Sequence, residues 1–540
     1  MDSAGQSVLE NPISLKHVAA DRSARAWSGS AWMNLIVWGL ILLGTVTRLR
    51  MYLGDQSLWR DEAKLALNIT QRSFSGLLHP LDYDQAAPLG FLMIEKCAVT
   101  LFGGGELALR FWPMLASILT LPLFYYLCRH LLGPRATIFA LAILALAADN
   151  SFHVAEVKQY STDLLVSVGL LLLAAKSCGE DGTFSTSAKA LVPLAAAGFV
   201  AIWFSHPAVF VLSGIWGAFA LSWFVQKPRG SAHGIMLLAS AWIASFLANY
   251  FLNLRGLTHS DYLQRFWSAA GAYAPLPTSG SAIFWYKRKF YALFLSPFSA
   301  EGESLAALLF LLGIAAIYRK HKSVIAILVV PILAALGASA LHKYPFDSRL
   351  ILFLFPLTTI AVAAGLNFLW GSRFRAAGIL AIGLLMISPI NRTLETLAAA
   401  PRNCEIRQSM AFIAQHRQPG DVFYLTPAAR YGFAFYQARF GLAGVPVVFG
   451  SPVDGSLESY AAELAGCAGK RVWVLAEDQS SGDPVAEAEF VMQQPKIMDV
   501  LDSMGRRVWE AQPFNEYVAC YDLTNKARLR ASLSWLGPSE

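Results

Sequence analysis

The sequence predicts a polytopic α-helical membrane protein of about eleven spans, followed by a C-terminal α/β domain outside the membrane. Three observations predict this class. Of 540 residues, 55% are hydrophobic and only 15% charged, against about 25% charged in a soluble globular protein. The apolar residues come in separated runs of membrane-helix size. Charge is also unevenly divided: the first 400 residues hold 30 basic and 20 acidic side chains, the last 140 hold 13 and 16. This composition excludes a purely soluble protein, a disordered chain, collagen and a coiled coil. Six cysteines in this length exclude a disulfide scaffold.

Residues 1–28 are polar and read as a cytoplasmic tail. The run at 31–47 has no small-residue cleavage site behind it, so it is a first span rather than a signal peptide. Further runs centre on 111–127, 136–148, 161–175, 190–204, 208–224, 235–252, 304–317, 323–341, 350–369 and 376–390, giving a membrane domain over 29–395. Lys and Arg on short connections mark the cytoplasmic side. Arg22, Arg25, Arg129, Arg135, Lys227, Arg229, Arg319, Lys320, Lys322, Arg373 and Arg375 all fall on one side of an eleven-span chain. The N-terminus is then cytoplasmic and the C-terminal part outside. Arg48, Arg50, Arg60 and Arg72 fall outside, against the rule, and are expected to be functional or interfacial.

Two outside loops are long, 48–108 and 255–300. The first holds an apolar stretch at 89–102, ended by Gly103-Gly104-Gly105. It is too short to span and is expected to lie in the membrane interface. The second mixes Trp and Tyr with Arg and Lys, the composition of a headgroup region. From 396 to 540, helical patterns alternate with apolar strands at 421–426, 445–450, 471–477, 506–511 and 516–523, which predicts a small extracytoplasmic α/β layer domain. It contains no dinucleotide fingerprint, P-loop or zinc spacing. Cys404, Cys467 and Cys520 lie in it, where at most one pair can form a disulfide.

Four polar clusters fall on the outer face: Asp61-Glu62, the stretch from Glu156 through Lys158 and Tyr160 to Asp163, His206 in the tight turn Ser205-His206-Pro207, and the stretch from His342 through Tyr344 to Arg349. Each has an ordinary explanation. The acidic pair suits a helix N-terminus. Lys158 can snorkel beside an ion-pair partner, and a histidine beside proline is commonly structural. Together, however, they gather carboxylates, cations and aromatics on one membrane face, where charge is costly and marks function. Carboxylates suit proton abstraction or metal binding. Lysine and arginine suit a phosphate.

The stretches LWRDEAKLALNI, RSFSGLLHPLDYDQAAPLGFLMIEK, LFGGGELALRFWP, HVAEVKQYSTD, WFSHPAVF and YPFDSRLILFLFP, in that order over roughly 50–355, resemble the bacterial GT-C membrane glycosyltransferases. The resembling group is similar to the rhizobial lipopolysaccharide-core glycosyltransferases, relatives of the 4-amino-4-deoxy-L-arabinose transferase of lipid A and of the protein O-mannosyltransferases. The resemblance implies an inverting transferase in the bacterial cytoplasmic membrane. Its donor would be a polyprenyl-phosphate-linked sugar, and its acceptor a lipid, glycan or protein on the outer face, with membrane lipids around it and no nucleic acid. It implies Asp61 as general base with Glu62 as companion. Lys158, Arg349 and Tyr344 would hold the donor phosphate, and Glu156, Tyr160, His206, Asp84 and Gln85 would line the site. Asp61, Glu156 and His206 are candidate ligands for a divalent cation, which no spacing demands. Lys64, close behind the acidic pair, is expected to lower the Asp61 pKa. GAYAPLP at 271–277 departs from the bulkier sequence of relatives. The competing classes are a transporter or lipid flippase, which predicts mid-bilayer polar residues and paired repeats, and a scaffold or receptor acting through its C-terminal domain. No repeat is visible, and a scaffold leaves the outside clusters unexplained.

Overall fold

The computed structural model describes residues 31–147, 156–179, 181–226, 232–257, 260–402, 404–450, 457–477 and 493–524. The tail over 1–28, with Arg22 and Arg25, and the connection carrying Lys227 and Arg229 lie outside these residues. Helix α1 covers Ala31–Tyr52. It continues past the expected loop start, because Arg48 and Arg50 extend it rather than end it. Arg48 is buried in the bundle. It donates to Ser117 Oγ at 2.7 Å and to the carbonyls of Gly44, Leu144 and Ala145 at 3.0, 3.2 and 3.4 Å. It thereby satisfies carbonyls at the end of a neighbouring helix, a structural duty at membrane depth.

Two helices follow outside the spans, α2 at Arg60–Gln71 and α3 at Leu89–Phe102. The latter ends on Gly103, whose φ of 91° only glycine adopts easily. The bundle continues with α4 (Glu106–Leu131), α5 (Pro134–Ala145), α6 (Tyr160–Ala175), α7 (Ala188–Phe204), α8 (Ala208–Gln226) and α9 (His233–Asn249). Proline at the first position of α5 costs no hydrogen bond there. A short amphipathic helix, α10 (Asp261–Ala269), precedes α11 (Gly280–Lys320). Then come α12 (Lys322–Ala340), a 3-10 segment at Ser348–Leu354, α13 (Phe355–Trp370) and α14 (Arg375–Ala398). Among the described residues, eight helices are long and apolar enough to cross a membrane, and α5, α6 and α7 are shorter apolar helices.

The second long loop expected from the sequence, 255–300, is largely helical. Ser279 caps α11 by accepting from the Ala282 N–H at 3.2 Å, and α11 then runs 41 residues without a break. That is about 60 Å at 1.5 Å per residue, twice the hydrocarbon thickness. Only its second half, from Gly302, is apolar enough to span. Hydropathy registers the apolar half and misses the extension. Helix α11 packs against α13 through a glycine contact. A Cβ on Gly313 would collide with the Ala361 carbonyl, and one on Gly365 with the Leu309 carbonyl. Small residues let the two backbones meet, as membrane helices require.

The C-terminal domain is an α/β layer. Its five strands, β1 (Val422–Leu425), β2 (Val447–Phe449), β3 (Arg471–Glu477), β4 (Arg506–Ala511) and β5 (Glu516–Asp522), lie in the order β2-β1-β3-β5-β4. The first three are parallel; β5 runs antiparallel to both β3 and β4. Helices α15 (Ile406–His416) and α16 (Ala429–Tyr436) cover one face, α17 (Leu457–Ala465) and α18 (Gln493–Met504) the other. All six cysteines are free, and Cys404, Cys467 and Cys520 are buried, so the permitted disulfide is not formed.

The sheet's first face shares a single apolar core with the first long loop, over 53–105. Leu58, Leu65, Leu67 and Phe91 pack in one cluster with Met410, Phe423, Phe433 and Trp473. Polar contacts reinforce it. Tyr436 Oη accepts from the Leu58 N–H at 2.9 Å and donates to Glu106 Oε1 at 3.0 Å. Glu106 also pairs with Arg407 and Arg439 at 3.1 and 3.2 Å.

Candidate active site

Helix α2 carries the acidic pair and is buried on nearly every side, from Glu62 to Ile69. The two carboxylates have different surroundings. Glu62 is 1% exposed. Its Oε1 accepts from Arg110 Nε and the Val157 N–H, both at 2.9 Å, and its Oε2 from the second Arg110 nitrogen at 2.6 Å. Oε2 also accepts from the Trp59 N–H at 3.4 Å, the return half of a capping box. Arg110 further donates to the Gln56 and Ser57 carbonyls. The pair is therefore saturated and closed. It ties together the start of α2, helix α4 and the segment entering α6.

Asp61 does not cap its helix; Glu62 does. The Asp61 Oδ2 instead accepts from Arg349 at 2.5 Å, with both side chains 18% exposed. Burial pushes the Asp61 carboxyl up, but Arg349, Lys158, Arg60 and Lys64 outweigh it and hold the group well below the usual carboxylate range. The lowering expected from Lys64 is thus present as one of four cationic contributions. Arg349 leaves the 3-10 segment before α13 and lies over the rings of Trp59 and Tyr160, with centroids at 5.1 and 5.7 Å. This stacking fixes its lateral position.

Lys158 is buried, not snorkelling, and donates to Gln85 Oε1 at 2.6 Å. Burial lowers its pKa to about 8, with Arg349 and Lys64 adding to the fall, while Asp61 and Glu156 oppose it. Glu156 is buried in the same cluster and acts electrostatically on Lys158 and Arg349. Gln85 and the exposed Asp84 form one wall of a cleft of about 660 Å³, faced by Phe251, Leu252 and Arg255. Tyr83 and Asp84 both hold positive φ, 65° and 54°, and Ser260 Oγ donates to Asp84 at 3.4 Å.

One expected site residue, Tyr344, is engaged within its own segment. The Tyr344 hydroxyl donates to the Leu350 carbonyl at 2.7 Å, and its ring packs on Phe210. It orders the turn that presents Arg349. His206 sits in the α7–α8 turn, where burial lowers its pKa to about 4 and keeps it neutral. Among the described residues no group of three or more His, Cys, Asp or Glu side chains gathers as a cation site. The set Asp61, Glu156 and His206 is therefore not assembled.

Three contributors were not singled out in the sequence. Arg110 had a legible signal, being the lone charge in the run from 107 to 127, which calls for a partner. Tyr431 comes from the C-terminal domain: its ring lies 4.8 Å from Lys64 Nζ and packs edge-on against Tyr83 at 5.2 Å. Lys289, on the extension of α11, pairs with Asp347 at 2.7 Å, two residues before Arg349.

No sequence-family model and no curated protein matches this chain. Solved structures do match it. ArnT from Cupriavidus metallidurans, bound to undecaprenyl phosphate, aligns over 95% of this chain and all of its own, with 15% identity and a TM-score of 0.51. The same protein without ligand gives 14% identity and a TM-score of 0.53 over the same extents. The oligosaccharyltransferase AglB from Archaeoglobus fulgidus, in complex with an inhibitory peptide and a dolichol phosphate, aligns over 91% of this chain and 74% of its own, with 12% identity and a TM-score of 0.52. The fold is GT-C. In this fold the first long loop, the α6 entry and the 3-10 segment before α13 converge on one end of the bundle, and the C-terminal domain closes over the same loop.

Proposed function

We propose that this protein is an inverting glycosyltransferase that moves a sugar from a polyprenyl-phosphate donor to a lipid, glycan or protein acceptor. The reaction takes place on the outer face of a bacterial cytoplasmic membrane, with the C-terminal domain on that side and the N-terminus in the cytoplasm. The polyprenyl phosphates bound by structural neighbours support the donor class. One observation carries the reading: of two adjacent carboxylates, Glu62 is saturated while Asp61 stays partly open beside Arg349 and Lys158.

Asp61 takes the acceptor's proton as the acceptor oxygen attacks the anomeric carbon. The bond from that carbon to the phosphate oxygen breaks on the opposite face, so configuration inverts in one displacement. The departing lipid phosphate keeps the electron pair. Arg349 and Lys158 stabilise its charge in a site where water is scarce. Glu62 acts by positioning: with Arg110 it fixes the first turn of α2 and therefore where Asp61 points.

Asp61→Asn tests this. It preserves shape and removes basicity, so turnover with a lipid-linked sugar should fall about 10²- to 10⁴-fold while the variant still binds the lipid phosphate. Near-normal turnover would remove Asp61 as the base.

A further inference from the structure

We propose that Asp61 and the donor phosphate are alternative partners of Arg349, so that arrival of the donor releases Asp61 to act as the base. This inference rests on the glycosyltransferase reading above and adds an order of events to it. The contact between the two groups is of a kind that can be exchanged. Arg349 has five N–H donors, and its one hydrogen bond among the described residues goes from a single nitrogen to Asp61 Oδ2. The remaining donors of its fork make no other hydrogen bond among the described residues, and a phosphate can take the fork bidentately, as a lone carboxylate oxygen does not. Trp59 and Tyr160 hold the guanidinium in place while its partner changes.

The neighbouring pair shows the contrast. Arg110 meets Glu62 through both oxygens, donates to two carbonyls as well, and is closed to solvent. A pair built to stay shut has that form; the Asp61–Arg349 pair does not. With Arg349 engaged, the Asp61 carboxylate is a poor base, since the four cations around it hold its proton affinity down. Once a phosphate draws Arg349 and Lys158, that restraint relaxes. The site is then basic only when a donor is present, and an acceptor arriving first meets an inert carboxylate.

The test uses the purified full chain in lipid nanodiscs, with undecaprenyl phosphate as the probe. Asp61→Asn should bind it about five-fold or more tightly than the unsubstituted protein, the size of an ordinary coupling between sites. Arg349→Gln should bind it more weakly, and Asp61→Asn should give no gain in that background. Equal or weaker binding by Asp61→Asn overturns the competition. So does a gain that persists with Arg349→Gln, which would mean simple repulsion between carboxylate and phosphate. Asp61→Ser repeats the measurement should the asparagine variant fold poorly. Absence of binding by the unsubstituted protein would overturn the donor class together with this inference. Binding that is merely indifferent to Asp61 removes the competition alone.

Discussion

Glu62 and Arg110 meet through two hydrogen bonds of 2.9 and 2.6 Å across 48 positions of sequence, in a pocket closed to solvent. This pair, rather than the helix terminus itself, holds the acidic motif in place. Removing one partner of a buried ion pair leaves the other charge uncompensated, at about 3–5 kcal/mol. Glu62→Gln should therefore lower thermal stability and folded yield sharply, while Asp61→Asn lowers neither by a comparable amount. Melting curves on the two variants side by side check this. Equal stability would mean that Glu62 is not the structural member.

Lys158 gives the site a pH dependence. The groups acting on it are Asp61, Arg349, Lys64 and Glu156. Its pKa of about 8 means that its charge is lost as pH rises through that value, so affinity for undecaprenyl phosphate should fall there. Stability has the opposite sign. Between about 8 and the ordinary lysine value of 10.5 the unfolded chain binds more protons than the folded one, so this group's contribution to stability rises with pH. Lys158→Arg, which does not titrate in this range, should flatten the affinity profile. An unchanged profile would separate Lys158 from the phosphate.

Tyr436→Phe removes the hydroxyl that links Leu58 to Glu106 and leaves the Leu58 N–H without its partner. An unmet buried donor costs about 1–3 kcal/mol. The expected outcome is faster proteolytic cleavage between α14 and α15, with a matching loss of turnover, because Leu58 lies two residues before α2. Loss of one without the other would show that the domain and the site are not mechanically joined.

Gly313→Ala places a methyl group against the Ala361 carbonyl and should separate α11 from α13, at about 1–3 kcal/mol for overpacking. Gly337→Ala in α12 meets nothing within 4 Å and serves as the control. Since α13 begins where the Arg349 segment ends, weaker lipid-phosphate binding should accompany the Gly313 change. Equal behaviour of the two variants would refute the packing argument.

Hydropathy and alternation make the spans and the C-terminal sheet legible; the apolar run at 471–477 predicts a strand, and β3 lies at Arg471–Glu477. The extension of α11 was not legible, because its aromatic and cationic residues carry no apolar run and read as loop. Asp61, Lys158 and Arg349 stood out because charge near a membrane needs a reason. Which carboxylate caps the helix, and which is left open, depends on Arg110 and on the Val157 N–H. Neither pairing is encoded in spacing. Tyr431 was hidden for the same reason: nothing near position 64 announces a ring that arrives 367 residues later.

That separation bears on how the protein is made. Helix α2 leaves the ribosome early, yet Phe433 and Tyr436, which complete its surroundings, are synthesised more than 350 residues afterwards. Until then Leu65 and Leu67 lack part of their cover and Leu58 lacks its acceptor. Contacts this distant in sequence form late. A stalled or truncated chain would thus hold a finished set of membrane helices with the corner around α2 unformed, and its exposed apolar face would mark it for capture by chaperones or proteases. The candidate site is complete only with the last part of the polypeptide, so translation itself guards against a partly built one.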